Sequence, residues 1–220
     1  MFLPTRCPLC GAIGAAPCAS CARSLTRAGL VAPVVGCASV AACYRYDQSA
    51  RAVVLALKFR NRRDSVAFCA AAIAELAPAV DLVTWAPSTP QRVRARGFDQ
   101  AEVLARAAAR RLGLPARATL RRVGVTPQTG LGAAARRLGP GFVARAGRVH
   151  GARVLVVDDI VTTGSTFAHA ARALRAAGAT EVHARALAWT PPKAVSRPPA
   201  DPPPKRRTSA PDTVVRRVAS

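Results

Sequence analysis

The sequence predicts an α/β fold: a parallel sheet covered by helices, with a small N-terminal Cys-rich zinc module and a disordered C-terminal tail. Three observations lead there. Half of the 220 residues are apolar, enough to bury a real core and to exclude a wholly disordered chain. Between residues 46 and 189, stretches with helical period alternate with short aliphatic runs, which is the pattern of strands joined by crossover helices. The two ends differ from this middle in composition. Three regions follow: 1–45, 46–189 and 190–220.

Residues 1–45 are rich in Cys, Pro and Gly and show little periodicity. Cys7-Pro8-Leu9-Cys10 and Cys18-Ala19-Ser20-Cys21 form two CxxC pairs. Two such knuckles can place four thiolates around one tetrahedral Zn²⁺, and four Cys ligands close the coordination sphere, so the ion would be structural. The start, Met1-Phe2-Leu3-Pro4-Thr5-Arg6, has no apolar run behind a basic one, so a cytoplasmic protein with reduced thiols is expected, and metal outranks disulfides. Cys37 and Cys43 are either substitute ligands or small buried residues, and Cys69 reads as buried.

Ser49–Arg60 and Asp64–Leu76 are helix candidates. The longest apolar stretch, Val66–Val80, contains Glu75 and is too short to span a bilayer, so it reads as a core helix. Asp81–Trp85 is a short strand that Pro87 ends. Asp99 with Glu102 three residues later resembles a capping box, opening a helix that runs to Leu112 and stops at Gly113. Residues 121–150 lack a clear period and suggest a long loop or ribbon. Arg153–Val157 is a buried strand, Thr166–Ala177 a helix with Phe167, Ala170, Ala171 and Leu174 on one face, and Val182–Ala188 a final strand. Residues 190–220 hold eight Pro, seven Lys or Arg and two acids, too little apolar surface to offset the entropy of ordering them.

The most informative segment is Val154–Thr166, VLVVDDIVTTGST. An aliphatic strand delivers two acids, Asp158 and Asp159, to the carboxyl edge of the sheet, where α/β proteins bind ligands. The turn Thr162-Thr163-Gly164-Ser165-Thr166 follows and opens into a helix. Its N–H groups and hydroxyls can converge on one phosphate, helped by the helix dipole, and Gly164 permits close approach. Two adjacent carboxylates suit a sugar diol, a Mg²⁺ ion, or both. Upstream, Ala86-Pro87-Ser88-Thr89-Pro90 leaves a strand and is followed by Arg92, Arg94 and Arg96.

Basic residues number 33 and acidic ones 11, a net +22, yet only Lys58, Lys193 and Lys205 are lysines. So Arg-rich a chain suggests a compositional bias of its genome, and the charge is weaker evidence for nucleic acid than its size implies. It still favours polyanions, including phosphorylated small molecules. His150, His169 and His183 are isolated, and no general base stands out.

The 154–166 segment is similar to the signature of the type I phosphoribosyltransferases, which bind phosphoribosyl pyrophosphate (PRPP). That resemblance implies their parallel-sheet fold, a 5-phosphate held by Thr162, Thr163, Gly164, Ser165 and Thr166, and ribose hydroxyls contacted by Asp158 and Asp159, directly or through Mg²⁺. It also implies a pyrophosphate loop carrying Pro87, Ser88, Thr89, Arg92 and Arg96, since pyrophosphate needs cationic or N–H partners. A mobile loop with Thr126, Gln128 and Arg136 as its polar candidates would exclude water from an oxocarbenium-like centre.

Within that class the chain resembles the ComF family. The carriers are Arg96–Ala109 (RGFDQAEVLARAAA), Trp85–Phe98, Thr126–Leu131 with Arg136, the Tyr44-Arg45-Tyr46 to Lys58-Phe59 stretch, and the paired Cys. The likeness spans about residues 7–189. Asp99 stands where Asn is usual, Trp85 replaces a small aliphatic residue, and the segment after Arg136 is short. The resemblance implies an enzyme that transfers ribosyl phosphate from Mg²⁺–PRPP to an unknown acceptor, with a link to natural competence. Two alternatives stay open: a non-enzymatic accessory protein for single-stranded DNA uptake, and a PRPP-sensing regulator.

Overall fold

The computed structural model describes residues 4–59, 63–123 and 141–191. Its central sheet has the strand order β1-β2-β7-β6-β3, with β1 Arg27–Leu30, β2 Ser39–Arg45, β3 Leu82–Trp85, β6 Arg153–Val161 and β7 Glu181–Trp189. Only the β1–β2 pair is antiparallel; β2–β7, β7–β6 and β6–β3 run parallel. β4 Leu120–Val123 and β5 Gly141–Ala144 form a separate antiparallel ribbon in the 121–150 region expected to be a long loop or ribbon. The expected α/β class with a mainly parallel sheet is what forms.

β6 explains the core. Val154, Leu155, Val156 and Val157 are fully buried, and successive strand side chains point to opposite faces. Leu155 and Val157 join a cluster with Val83, Trp85, Ile73 and Leu104, beneath α2 Gln48–Phe59, α3 Val66–Glu75 and α5 Gln100–Leu112. Val154 and Val156 join Phe167, Ala170 and Leu174 of α6 Ser165–Ala176 on the other face. A sheet covered on both faces reads as continuous apolar runs rather than alternation, which is why the Val154–Val157 run stands out.

β1 and β2 lie in the region that composition sets apart as a Cys-rich module, yet β2 is hydrogen-bonded along β7, pairing Val40 with Ala184 and Tyr44 with Ala188. Ahead of them, α1 Ala19–Arg23 is a single short helix carrying one CxxC knuckle. Trp85 ends β3 buried, with the Arg106 guanidinium 5.1 Å from its ring centre, so it is a packing residue.

The capping-box expectation at Asp99 needs correction. Asp99 does cap α5, its Oδ1 accepting from Ala101 N at 3.0 Å. Glu102 makes no return bond to it; Glu102 instead pairs with Arg106 one turn on, at 2.8 Å. The second Asp99 oxygen accepts from Ser88 N in the loop after β3. The residues of the expected tail from 192 onward lie outside the described residues.

Candidate active site at the carboxyl edge of the sheet

β6 continues past Val157 to Val161, so Asp158 and Asp159 stand within its last turn of pleat rather than beyond it. Their directions differ by the strand period. Asp158 shares a hollow of about 150 Å³ with Ile160, Val161 and the whole 162–166 turn. Asp159 is drawn towards α2, where Lys58 Nζ lies 2.6 Å from its Oδ2 with both side chains mostly buried. Burial, and then the charge of Asp159, push the Asp158 carboxyl well above the usual range.

The turn is built as its sequence implies. Gly164 sits at φ 77° as the N-cap of α6, a left-handed conformation costly for other residues. Space imposes glycine as well, since a Cβ there would come 2.5 Å from Val34 Cγ2. No described carbonyl accepts from the amides of Thr162, Thr163 or Gly164, so these N–H groups are open to an anion. Thr163 Oγ1 accepts from Ser165 N at 3.4 Å. His169 Nδ1 lies 2.8 Å from Ser165 O, turned back onto its own helix.

A second hollow, also of about 150 Å³, adjoins the first at Asp158, Ile160 and Thr166. Lys58, Arg92, Arg96 and Arg122 line it together with Asp158, Asp159, Ser88 and Gln100. Four cations against two carboxylates leave it with a net positive charge, which attracts anions. The 86–89 loop is held open over it from outside. Asp99 Oδ2 accepts from Ser88 N at 2.7 Å and Oδ1 from Ser88 Oγ at 3.2 Å. Pro87 O accepts from Arg122 Nε at 3.0 Å. Thr89 Oγ1 accepts from Arg92 N and caps α4 Pro90–Arg96, which aims Arg92 and Arg96 at the hollow.

Of the residues expected in the site, the structure thus brings together the acids, the turn, Ser88, Arg92 and Arg96; Pro87 and Thr89 support the loop through their backbone and cap. Thr126, Gln128 and Arg136 lie outside the described residues. Sequence reasoning missed three side chains. Lys58 was visible as a rare lysine ahead of Phe59. Gln100 accepts from Arg96 Nη1 at 2.6 Å, while its own Nε2 is buried without a partner among the described residues. Arg122 carried no local signal at all. Burial pulls its guanidinium below the usual value, against the raising influence of Asp158 and Asp99.

The chain's sequence matches the phosphoribosyl transferase domain family model over residues 99–215. The chain belongs to that family. The match takes in α5, β6, the acids and the 162–166 turn. Among solved structures, the phosphoribosyl transferase domain is similar to an allosteric regulatory enzyme of purine biosynthesis at 27% identity, covering 61% of this chain and 26% of the other, TM-score 0.40. It is also similar to the glutamine PRPP amidotransferase of B. subtilis at 25% identity, covering 60% and 30%, TM-score 0.43. The adenine phosphoribosyltransferase of Thermoanaerobacter pseudethanolicus is 15% identical, covering 56% and 78%, TM-score 0.38. The chain spans less than a third of the length of the first two. No curated protein matches it.

The N-terminal cysteines form a second candidate site. The sulfurs of Cys7, Cys10, Cys18 and Cys21 all lie within 4.8 Å of one another. Zn–S bonds of about 2.3 Å give a tetrahedron with edges of about 3.8 Å, and Cys10 Sγ to Cys18 Sγ measures 3.8 Å, so the four thiols fit that ion. The Ser20 hydroxyl, 3.3 Å from Cys18 Sγ, and then Cys21 hold the Cys18 thiol down to about 6, while Cys18 pushes Cys21 up to about 12. Cys43 and Cys69 are buried in the core, and Cys37 lies beside Phe167 O; none joins the cluster.

Proposed function

We propose that this chain binds Mg²⁺–PRPP and transfers its phosphoribosyl group to an acceptor nucleophile, releasing pyrophosphate. The observation that carries this is the pair of adjoining hollows: one lined by open amides and hydroxyls, the other by four cations, with the carboxylate doublet between them. A 5-phosphate fits the first, a diphosphate the second, and a ribose diol the seam. Thr162, Thr163, Gly164, Ser165 and Thr166 would hold the 5-phosphate. Arg92 and Arg96, with the loop of Pro87, Ser88 and Thr89, would hold the diphosphate.

In the transfer, the bond from the anomeric carbon to the diphosphate oxygen breaks and its electron pair leaves with pyrophosphate. The acceptor forms the new bond at the same carbon. Asp158 and Asp159 face the positive charge that develops on the ribose, and the arginines neutralise the leaving group without reorganising. A Mg²⁺ ion held with the diphosphate and the doublet would supply further charge neutralisation. Titration calorimetry of the full chain with PRPP and Mg²⁺ tests the reading. A dissociation constant in the micromolar range supports it; no heat at millimolar ligand sinks it. Pyrophosphate release over a panel of bases and amines then separates a transferase from a PRPP sensor.

Cys7, Cys10, Cys18 and Cys21 would hold one structural Zn²⁺. One zinc per chain is expected by elemental analysis, with Cys7→Ser and Cys18→Ser each losing it and lowering the melting temperature. The link to natural competence rests on the ComF likeness alone. None of the aromatic side chains whose surface is described is exposed, so stacking platforms for single-stranded DNA are missing among them, which favours the small-ligand reading.

A further inference from the structure

Lys58 lies outside the Val154–Thr166 signature, in the Tyr44–Phe59 stretch that carries part of the ComF likeness, yet it makes the shortest ion pair in the site. Its helix α2 comes from a part of the chain far from β6 in sequence. Asp47 caps the start of that helix through Ala50 N at 3.0 Å, and Val53, Val54 and Leu57 fasten it to the core, so its last turn is delivered to the site in a fixed place. There Lys58 Nζ sits 2.6 Å from Asp159 Oδ2, with 17% and 18% of the two side chains exposed. Lys58 also lines the same hollow as Arg92, Arg96 and Arg122. In a chain whose described cations are otherwise arginines, this one position holds a compact ammonium on a flexible stem. An arginine fork binds a carboxylate in two places and holds it; an ammonium is a point charge with three rotatable donors on a flexible stem and can be handed on.

Resting on the PRPP reading above, we infer that Lys58 is a substrate-binding residue that guards the carboxylate doublet in the empty site and passes to a diphosphate oxygen when the ribose hydroxyls take Asp159. The hollow favours such an exchange. A diol reaching Asp159 Oδ2 competes for it with the ammonium that already sits there at 2.6 Å. The released cation is then left mostly buried, and the nearest compensation for it is the anion occupying its own hollow. Lys58 thus contributes to binding only when both the diol and the diphosphate are present on one ligand, or when the diphosphate comes alone and adds to the cationic wall.

The test is titration calorimetry on the full, zinc-loaded chain with three probes: PRPP with Mg²⁺, inorganic pyrophosphate, and ribose 5-phosphate. Lys58→Met should weaken PRPP and pyrophosphate by about tenfold to a hundredfold, as loss of a hydrogen bond to a charged group does, and leave ribose 5-phosphate unweakened or tighter, because its diol no longer competes with the ammonium for Asp159. Lys58→Gln, which keeps the length and polarity of the side chain, should show the same pattern and serves if the Met variant fails to fold. An equal loss on all three probes would mean that Lys58 acts only through Asp159, and no loss on any would mean that it is a bystander; either overturns the inference. If the unaltered chain binds no PRPP, it is the functional reading that fails.

Discussion

The two hollows meet at Asp158, but they are made in opposite ways. The 162–166 turn is local: one strand, one turn and one helix start, contiguous in sequence, presenting backbone amides and short hydroxyls. The cation-lined side is distributed. It gathers Lys58 from α2, Ser88 from a loop, Arg92 and Arg96 from α4, Gln100 from α5 and Arg122 from β4. The local half depends on backbone shape and so on a single glycine. The distributed half depends on charge summed over several side chains, with its shape held from outside by Asp99. The first should be brittle and the second graded.

The largest effect should come from Gly164→Ala. The added methyl meets Val34 at 2.5 Å, and the residue must keep φ 77°. We expect a loss of about 2 kcal/mol or more in urea unfolding. Combining it with Val34→Ala should return the packing part and leave the backbone part, about 1–2 kcal/mol. A neutral Gly164→Ala would show that the turn is not pinned as described, and the comparison would break.

Asp99→Ala comes next. It removes the acceptor for Ser88 N, Ser88 Oγ and Ala101 N together, at a cost of about 1–2 kcal/mol in stability. Because it frees the 86–89 loop while leaving every cation in place, pyrophosphate affinity should fall only a few-fold. A loss as steep as that of Gly164→Ala would mean that the distributed half is as shape-dependent as the local one.

The smallest and most pH-sensitive effect belongs to the seam. Asp158 is raised in the folded chain, by burial first and by Asp159 second. A folded pKa above the unfolded value of about 3.9 means that the native state binds the proton more tightly. The stability this gives is full below about pH 4 and is lost as pH rises through the elevated folded value. Asp158→Asn, which stays neutral, should therefore raise the urea midpoint at pH 7.5, with the gain shrinking towards pH 4. A constant difference across that range would show that Asp158 carries no such shift.

The same contrast decides what could be read in the sequence. β6, the turn and α6 were legible because their residues are adjacent and each obeys a local rule: aliphatic run, acids at a sheet edge, glycine where φ is positive. The CxxC pairs were legible for the same reason. β2 was not. Its run Val40-Ala41-Ala42-Cys43-Tyr44 is buried on both faces, so it shows no alternation, and Val40 is its one β-branched residue. α4 is only seven residues long and its Pro90 and three arginines read as loop, although Thr89 and Gly97 cap it at both ends. Arg122 and Gln100 were out of reach because their role exists only once β4 and α5 are brought to one place by the sheet.

The alternation of β6 has one more consequence. Asp158 and Asp159 face different walls because each takes its turn along a ribbon whose alignment is set elsewhere, by the ladder running from Arg153 opposite Glu181 to Val161 opposite Trp189, and by Arg153 clamped to Asp81 at the far end. Inserting or deleting one residue anywhere in that ribbon would trade the two acids between neighbours, sending one into the ammonium's place and the other towards the amide nest. The chemistry at one rim of the sheet is thus kept in phase by the backbone ladder along the whole strand, whose opposite end carries the Arg153–Asp81 pair.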